Sequence, residues 1–148
     1  MIKTDVASGM DRAIRAYIDA CNAADAGAIS GCFCAEAVHY FPGMPKWSGA
    51  ATIGANFAKR VADTGQWWTV DQILTDAERG AAVLEWTQFD PSCRRILRGV
   101  DWFEFAPGTL RIREVRPYIA ARPDPENPRQ ELHQFDYAGR GYPVNFPD

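Results

Sequence analysis

The sequence predicts one α+β domain: three N-terminal helices packed on the concave side of a strongly curved, mainly antiparallel sheet, with an overall cone shape. Two observations carry this prediction. Apolar residues recur at helical spacing in most of the first 65 residues, and four long extended segments follow them. The 148 residues suit a single domain of ordinary size. A hydrophobic share of 47% and an aromatic share of 12% are typical of globular proteins and exclude disorder over the whole length.

The first predicted helix covers residues 8–24, with Ser8 as its N-cap. Its apolar stripe comprises Met10, Ala13, Ile14, Tyr17, Ile18 and Cys21. A short second helix is predicted over residues 26–35. A strand over residues 37–41 follows, and Pro42 and Gly43 end it because they favour a turn.

The third predicted helix covers residues 50–63. Ser48 is its predicted N-cap, Ile53, Phe57 and Val61 form its inner face, and Gly65 ends it. Four strands follow, over residues 67–76, 81–89, 94–105 and 109–120. Short turn segments rich in Gly, Pro and Asp separate them, so we expect consecutive strands to be antiparallel.

The composition changes after Arg122, where Pro123, Pro125 and Pro128 follow within a few residues. We therefore divide the chain into a domain over residues 1–122 and a linker with an aromatic tail over residues 123–148. The tail contains three aromatic residues that are costly to leave in water, namely Phe135, Tyr137 and Tyr142. We expect it to pack on the domain or on a partner subunit.

Charge and composition exclude several functional classes. The net charge is -3 and the arginines are scattered among acids, which argues against nucleic acid or a membrane surface as a partner. The sequence contains neither a long apolar span nor a signal-peptide pattern, so a cytoplasmic location is expected. The two histidines are 94 positions apart, and the C-x-C pair at Cys32 and Cys34 is not a ligand set. We therefore predict no metal site.

Three motifs in this order carry a resemblance to a known family. They are Tyr17-Ile18-x-x-x-Asn22-Ala23-x-Asp25, Trp47-Ser48-Gly49-x-x-x-Ile53 and Gly99-Val100-Asp101-Trp102-Phe103-x-Phe105. Over about residues 8 to 120 the chain resembles the nuclear transport factor 2-like superfamily, in its SnoaL-like and ketosteroid-isomerase-like branch. The resemblance implies a cone-shaped α+β fold, and it leaves the chemistry open because this fold hosts many activities.

The resemblance also implies candidate catalytic residues. Tyr17 falls on the oxyanion tyrosine of the first helix, and Asp101 falls on the oxyanion aspartic acid of the penultimate strand. Independently, Asp101 lies between Val100 and Trp102, so burial would raise its pKa and keep it a hydrogen-bond donor.

The chain departs from the isomerase pattern at its base. The position of the catalytic aspartate falls on Phe41, which cannot accept a proton. Strand alternation places His39 on the same face as Phe41, so His39 is the candidate replacement. His133 in the tail is the alternative base. A supporting tyrosine of the family falls on Phe57, which implies a thinner hydrogen-bond network.

The remaining predicted site residues form the wall of a hydrophobic substrate pocket. They are Phe41, Phe57, Leu84, Trp86 and Phe103. The acids of limonene-epoxide-hydrolase-like relatives have no counterpart here. The histidine-directing aspartate of scytalone-dehydratase-like relatives falls at about Asn22, which cannot replace it.

We therefore expect a cofactor-independent lyase, dehydratase or isomerase that acts on a hydrophobic, possibly aromatic or polycyclic, oxygenated small molecule. Tyr17 and Asp101 would polarise the substrate oxygen, and His39 would move the proton. A homodimer formed through the outer sheet face is expected. Two alternatives stay open: a binding protein with the same pocket, and an interaction domain whose pocket is filled by its own side chains.

Overall fold

The computed structural model describes residues 3–120, 124–126, 131–142 and 144–145. Within these residues, helices dominate the first half of the chain and long strands the second. The elements are α1 (Lys3–Asn22), α2 (Ala26–Gly31), β1 (Phe33–His39), β2 (Trp47–Ser48), α3 (Ala50–Thr64), β3 (Trp67–Asp76), β4 (Ala81–Asp90), β5 (Arg95–Phe105) and β6 (Ile112–Ala120). None of the described helices is long and apolar enough to cross a membrane.

The described strands form one curved sheet in the order β2-β1-β6-β5-β4-β3. The four long strands β3 to β6 pair antiparallel with one another in chain order, and β6 pairs parallel with β1. The helices pack on one face of this sheet and enclose the main hydrophobic core. The predicted α+β fold is confirmed.

Helix α1 begins earlier than predicted. It starts at Lys3, so Ser8 lies inside the helix and is not its N-cap. The apolar stripe explains the extension, because Val6 lies one turn before Met10 and packs against the core. Asp5 lies in the first turn, where a negative charge stabilises the helix dipole.

The second helix is shorter than predicted, and the following strand begins earlier. Helix α2 ends at Gly31, and Phe33 already pairs with Ile112 of β6. The Ile112 amide donates to the Cys32 carbonyl at 2.9 Å. Pairing with a strand 80 residues away therefore determines the conformation here, and helical spacing alone could not reveal it.

Ser48 does not cap the third helix. It belongs to the short strand β2 and pairs with Val38, while the N-cap is Gly49 with no side-chain cap bond. Gly49 has φ 91°, a conformation that favours glycine and turns the chain from β2 into α3. Gly65 ends the helix in the left-handed conformation, as predicted.

The predicted long strands match the observed ones closely. The largest difference is at β6, which begins at Ile112 and not at residue 109. Thr109 and Arg111 belong to the preceding turn, where the Ala106 amide donates to the Arg111 carbonyl at 2.9 Å. The turn thus uses the backbone groups that a longer strand would need.

The described part of the C-terminal tail packs on the sheet. Leu132 and Phe135 are buried against Tyr40, and the His133 amide donates to the Phe41 carbonyl at 2.8 Å. The tail lies on the outer face of β6, where the Arg116 guanidinium stacks on the Phe135 ring. Pro123 and Pro128 of the predicted linker lie outside the described residues.

Candidate functional site

An internal cavity lies between the helices and the inner face of the sheet. It has a free volume of about 70 Å³. Residues from α1, α3, five strands and the segment after β1 line it, most of them apolar or aromatic. They are Tyr17, Ile18, Cys21, His39, Phe41, Phe57, Arg60, Trp68, Trp86, Gln88, Leu97, Asp101, Pro117 and Ile119. Such a lining is typical of a site for a small hydrophobic ligand.

Tyr17 reaches the cavity from the buried face of α1. Its ring packs edge-on against Phe33 and Phe103, with ring centroids 5.3 and 6.0 Å away, and these contacts fix its orientation. Burial raises the pKa of Tyr17 well above its usual value, and the neighbouring Cys21 and Asp101 raise it further. The hydroxyl therefore keeps its proton and can act as a hydrogen-bond donor.

Asp101 points into the same cavity from β5. The Trp86 indole Nε1 donates to its Oδ1 at 2.8 Å. Burial raises the pKa of Asp101 to about 7, although the Trp86 hydrogen bond acts in the opposite direction. A large fraction of the carboxyl groups is therefore protonated near neutral pH.

Gly99 positions the indole that holds Asp101. Gly99 pairs directly with Trp86 across β4 and β5, and a Cβ atom on Gly99 would overlap the indole ring. The missing side chain lets the ring lie over the backbone and direct Nε1 at the carboxyl group. This glycine belongs to the same motif as Asp101, and its role is steric.

His39 is fully buried at the end of β1. Its ring stacks on Phe41 at 4.4 Å and meets Phe57 edge-on at 5.0 Å. The Nδ1 atom lies 2.9 Å from the Tyr40 carbonyl oxygen, which requires the proton on Nδ1 and leaves a lone pair on Nε2. Burial lowers the pKa of His39 to about 3, and the positive charge of Arg60 contributes to the lowering. The imidazole is therefore neutral.

The structure brings six of the eight predicted site residues to the cavity wall. They are Tyr17, His39, Phe41, Phe57, Trp86 and Asp101. Leu84 and Phe103 are fully buried in the core and do not line the cavity. Phe103 instead packs against the Tyr17 ring and helps to hold that ring in place.

Three polar cavity residues were missed by the sequence analysis, although periodicity offers a signal for each. Cys21 lies one helical turn after Tyr17, Arg60 lies three residues after Phe57, and Gln88 lies two residues after Trp86. Arg60 is the important omission because it adds a positive charge to a wall that is mostly apolar or aromatic. In the described part of the chain, no group of His, Cys, Asp or Glu side chains could hold a metal ion.

The fold and this cavity together define an α+β cone with an internal pocket, an architecture consistent with small-molecule binding. The model of the SnoaL-like domain matches residues 14–115. The chain therefore belongs to the SnoaL-like family of the nuclear transport factor 2-like superfamily, as the sequence motifs indicated. No curated protein matches the sequence.

Solved structures support the same assignment. A protein of unknown function with a cystatin-like fold from Methylobium petroleophilum is 42% identical, with a TM-score of 0.88 and 95% of each chain covered. A proposed ketosteroid isomerase from Kribbella flavida is 16% identical, with a TM-score of 0.67 and coverage of 80% of this chain and 83% of that one. An epoxide hydrolase of the limonene-epoxide-hydrolase-like type from M. tuberculosis is 17% identical, with a TM-score of 0.65 and coverage of 76% and 84%. The last two share the fold.

Proposed function

We propose that the protein is a cofactor-independent enzyme that transfers protons on a hydrophobic, oxygenated small molecule, in a reaction of the lyase, dehydratase or isomerase type. One observation carries the proposal. Asp101, a buried carboxyl group with a pKa of about 7, shares an apolar cavity with the protonated Tyr17. A protonated carboxyl group in such a place can donate to a developing oxyanion, which a carboxylate cannot do.

In this mechanism Tyr17 and Asp101 both donate hydrogen bonds to one substrate oxygen. When a proton leaves the carbon next to a carbonyl, negative charge moves to that oxygen, and the two donors stabilise it. Both donors are oriented before the substrate binds, because aromatic contacts hold the Tyr17 ring and the Trp86 indole holds the Asp101 carboxyl group. A preorganised donor of this kind lowers the barrier by roughly 3 to 4 kcal/mol.

His39 is the proposed proton acceptor, through the lone pair on Nε2. Its pKa of about 3 makes it a weak base, so the substrate carbon must be acidic or become acidic when its oxygen is polarised. An unperturbed histidine would give a rate that rises with pH near 6.5. Here that rise is displaced to about pH 3. The visible pH dependence should instead come from Asp101, with a rate that falls as pH rises through about 7.

Deuterium exchange tests the proposal without knowledge of the natural substrate. The α-protons of small single-ring aromatic ketones such as acetophenone are followed by proton NMR in D₂O. We expect the protein to accelerate exchange, and Tyr17→Phe to lower the rate by about 100-fold to 1,000-fold through loss of one oxyanion donor. His39→Gln should lower the rate by about 100-fold or more, the loss typical of a general base.

Tyr118→Phe is the matched control, because Tyr118 lies half-exposed on the outer face of β6 and loses the same hydroxyl group. Exchange that is equally fast with Tyr17→Phe and Tyr118→Phe would refute the oxyanion role. A rate that rises through pH 7 would reassign Asp101 from donor to base.

The second candidate function is a binding protein without catalysis. The low pKa of His39 favours it, because a binding protein needs no effective base. The two functions differ in one measurement: a binding protein would take up the ketones at equilibrium and leave the exchange rate of their α-protons at its value in free solution.

A further inference from the structure

Arg60 brings a positive charge to the cavity that the proposed proton transfer does not use. It projects from the same face of α3 as Phe57, and its side chain is partly buried. The guanidinium stacks on the rings of Trp47 and Phe41, with its central carbon 4.9 and 5.4 Å from their centroids. These rings fix the plane of the guanidinium and leave its edge for other partners.

Within the described residues, Arg60 has no acidic partner. In the described part of the chain its side chain makes one hydrogen bond, from Nη2 to the Met44 sulfur at 3.6 Å, and a thioether is a weak acceptor. Asp63, which follows three residues later on α3, is paired with Lys59 at 2.5 Å. Burial lowers the pKa of Arg60, so the protein holds this charge in an environment that disfavours it.

Among the described residues, no Arg60 nitrogen is both buried and without a hydrogen-bond partner, so its unpaired N–H groups are accessible to a ligand that enters the cavity. A carboxylate matches the guanidinium edge with two parallel hydrogen bonds. Arg60 and Tyr17 line the same cavity, so one bound ligand could contact both groups. The small free volume, about 70 Å³, favours one ring over a polycyclic ligand.

We propose that Arg60 binds the carboxylate of the substrate, and that the pocket selects small aromatic or cyclic carboxylic acids. This proposal rests on the proposed function, because it treats the molecule bound by Arg60 as the substrate of that reaction. The binding of a carboxylate by Arg60 is a separate claim that can be tested without catalysis. The carboxylate contacts Arg60 while a second oxygen of the same molecule lies between Tyr17 and Asp101. The substrate then carries two oxygen functions.

Calorimetric titration with benzoate and benzamide at neutral pH tests the proposal. The two probes have the same ring, but only benzoate carries a charge. We expect the wild type to bind benzoate about 10-fold to 100-fold more tightly than benzamide, which is the effect of hydrogen bonds to a charged group. Arg60→Met keeps the packing of the side-chain stem and should remove the preference. Arg60→Lys should retain part of the preference for benzoate, because lysine keeps the positive charge but lacks the two parallel N–H donors of a guanidinium.

Arg15→Met is the matched control, since Arg15 is an exposed arginine of α1 that pairs with Asp11. It should leave the preference for benzoate unchanged. Thermal unfolding checks the fold, and Arg60→Met should be at least as stable as the wild type because it removes an unpaired charge. Equal affinity of the wild type for both probes, no saturable benzoate binding at millimolar concentration, or a preference that survives in Arg60→Met would overturn the proposal.

Failure of this proposal can be told from failure of the proposed function. Neither probe has an α-proton to exchange, so benzoate binding does not depend on catalysis by Asp101. Preference for benzoate together with unaccelerated ketone exchange would refute proton transfer alone. Accelerated exchange without that preference would refute the role of Arg60 alone.

Discussion

Asp101 and His39 face the same cavity and have pKa values displaced in opposite directions. Both groups are almost completely buried, and burial favours the neutral form of each. For Asp101 the folded protein binds a proton that the unfolded chain has released, between about pH 4 and 7. For His39 the unfolded chain binds a proton that the folded protein lacks, between about pH 3 and 6.5.

The two groups therefore affect stability with opposite signs. As pH rises through its window, Asp101 lowers the free energy of unfolding, while His39 raises it. Each effect has a slope of about 1.4 kcal/mol per pH unit where a whole proton is involved. Between about pH 4 and 6.5 the two slopes cancel, so the pair contributes little net pH dependence in the wild type.

Substituting one residue of the pair should reveal the pH dependence that the other residue contributes to the free energy of unfolding. In Asp101→Asn, which keeps an acceptor for Trp86, the free energy of unfolding should rise from pH 4 to 6.5 relative to the wild type, because His39 is the member of the pair that still titrates. In His39→Gln it should fall from pH 4 to 7 relative to the wild type, because Asp101 is the member that still titrates. Urea unfolding at several pH values measures both slopes. Parallel pH curves for the two variants would show that neither group has the displaced pKa that its burial implies.

At the scale of elements, the segment after β1 connects the cavity to the tail. Phe41 lines the cavity with its ring, and its carbonyl accepts the His133 amide. Phe135 fills the space beside Tyr40, at a centroid distance of 5.2 Å, and Arg140 holds the tail to Glu114 with bonds of 2.9 and 2.8 Å. The tail therefore stabilises the segment after β1, in which Phe41 lines the cavity.

Phe135→Ala tests this stabilisation. Loss of the buried ring should lower the free energy of unfolding by about 3 kcal/mol and speed hydrogen exchange of the His133 amide. Tyr142→Ala is the matched control, because Tyr142 is 40% exposed and contacts the same cluster from its edge. It should cost less than about 1 kcal/mol. Unaltered His133 exchange in Phe135→Ala would show that the tail does not depend on this contact.

At the scale of the whole molecule, the outer face of the sheet carries an apolar strip away from the tail. Trp67, Phe89 and Ile96 are neighbours across three strands, and the Trp67 and Phe89 rings stack at 4.2 Å. Trp67 is 43% exposed and Ile96 is 59% exposed. Exposed apolar surface of this kind is typical of interfaces, which favours the predicted homodimer through this face.

Ile96→Glu should convert the predicted homodimer to a monomer, because it places a charge on the exposed end of the strip, on the sheet face away from the cavity. Sedimentation velocity measures the oligomeric state. Ala55→Glu, which adds the same charge on the exposed side of α3, should leave the dimer intact. A wild type that sediments as a monomer at all concentrations would contradict the prediction.

Sequence patterning by itself determined the three helices, the long strands and the family. Periodicity reports which side of an element is buried, and the turn residues report where each strand ends. The family resemblance carried by the motifs predicted Tyr17 and Asp101 as candidates, and strand alternation predicted His39. Six of the eight predicted site residues line the cavity.

Only the tertiary structure decided the points that depend on distant partners. Phe33 is extended because β6 pairs with it, and Leu84 and Phe103 lie behind the wall. Arg60 reaches the cavity from α3, of which sequence analysis predicted only Phe57 in the pocket wall. The pKa of His39 near 3 likewise results from burial by rings of three separate segments. Local sequence encodes which face is buried, but the neighbours of a buried group come from the packing of remote segments, and they set its charge and its chemistry.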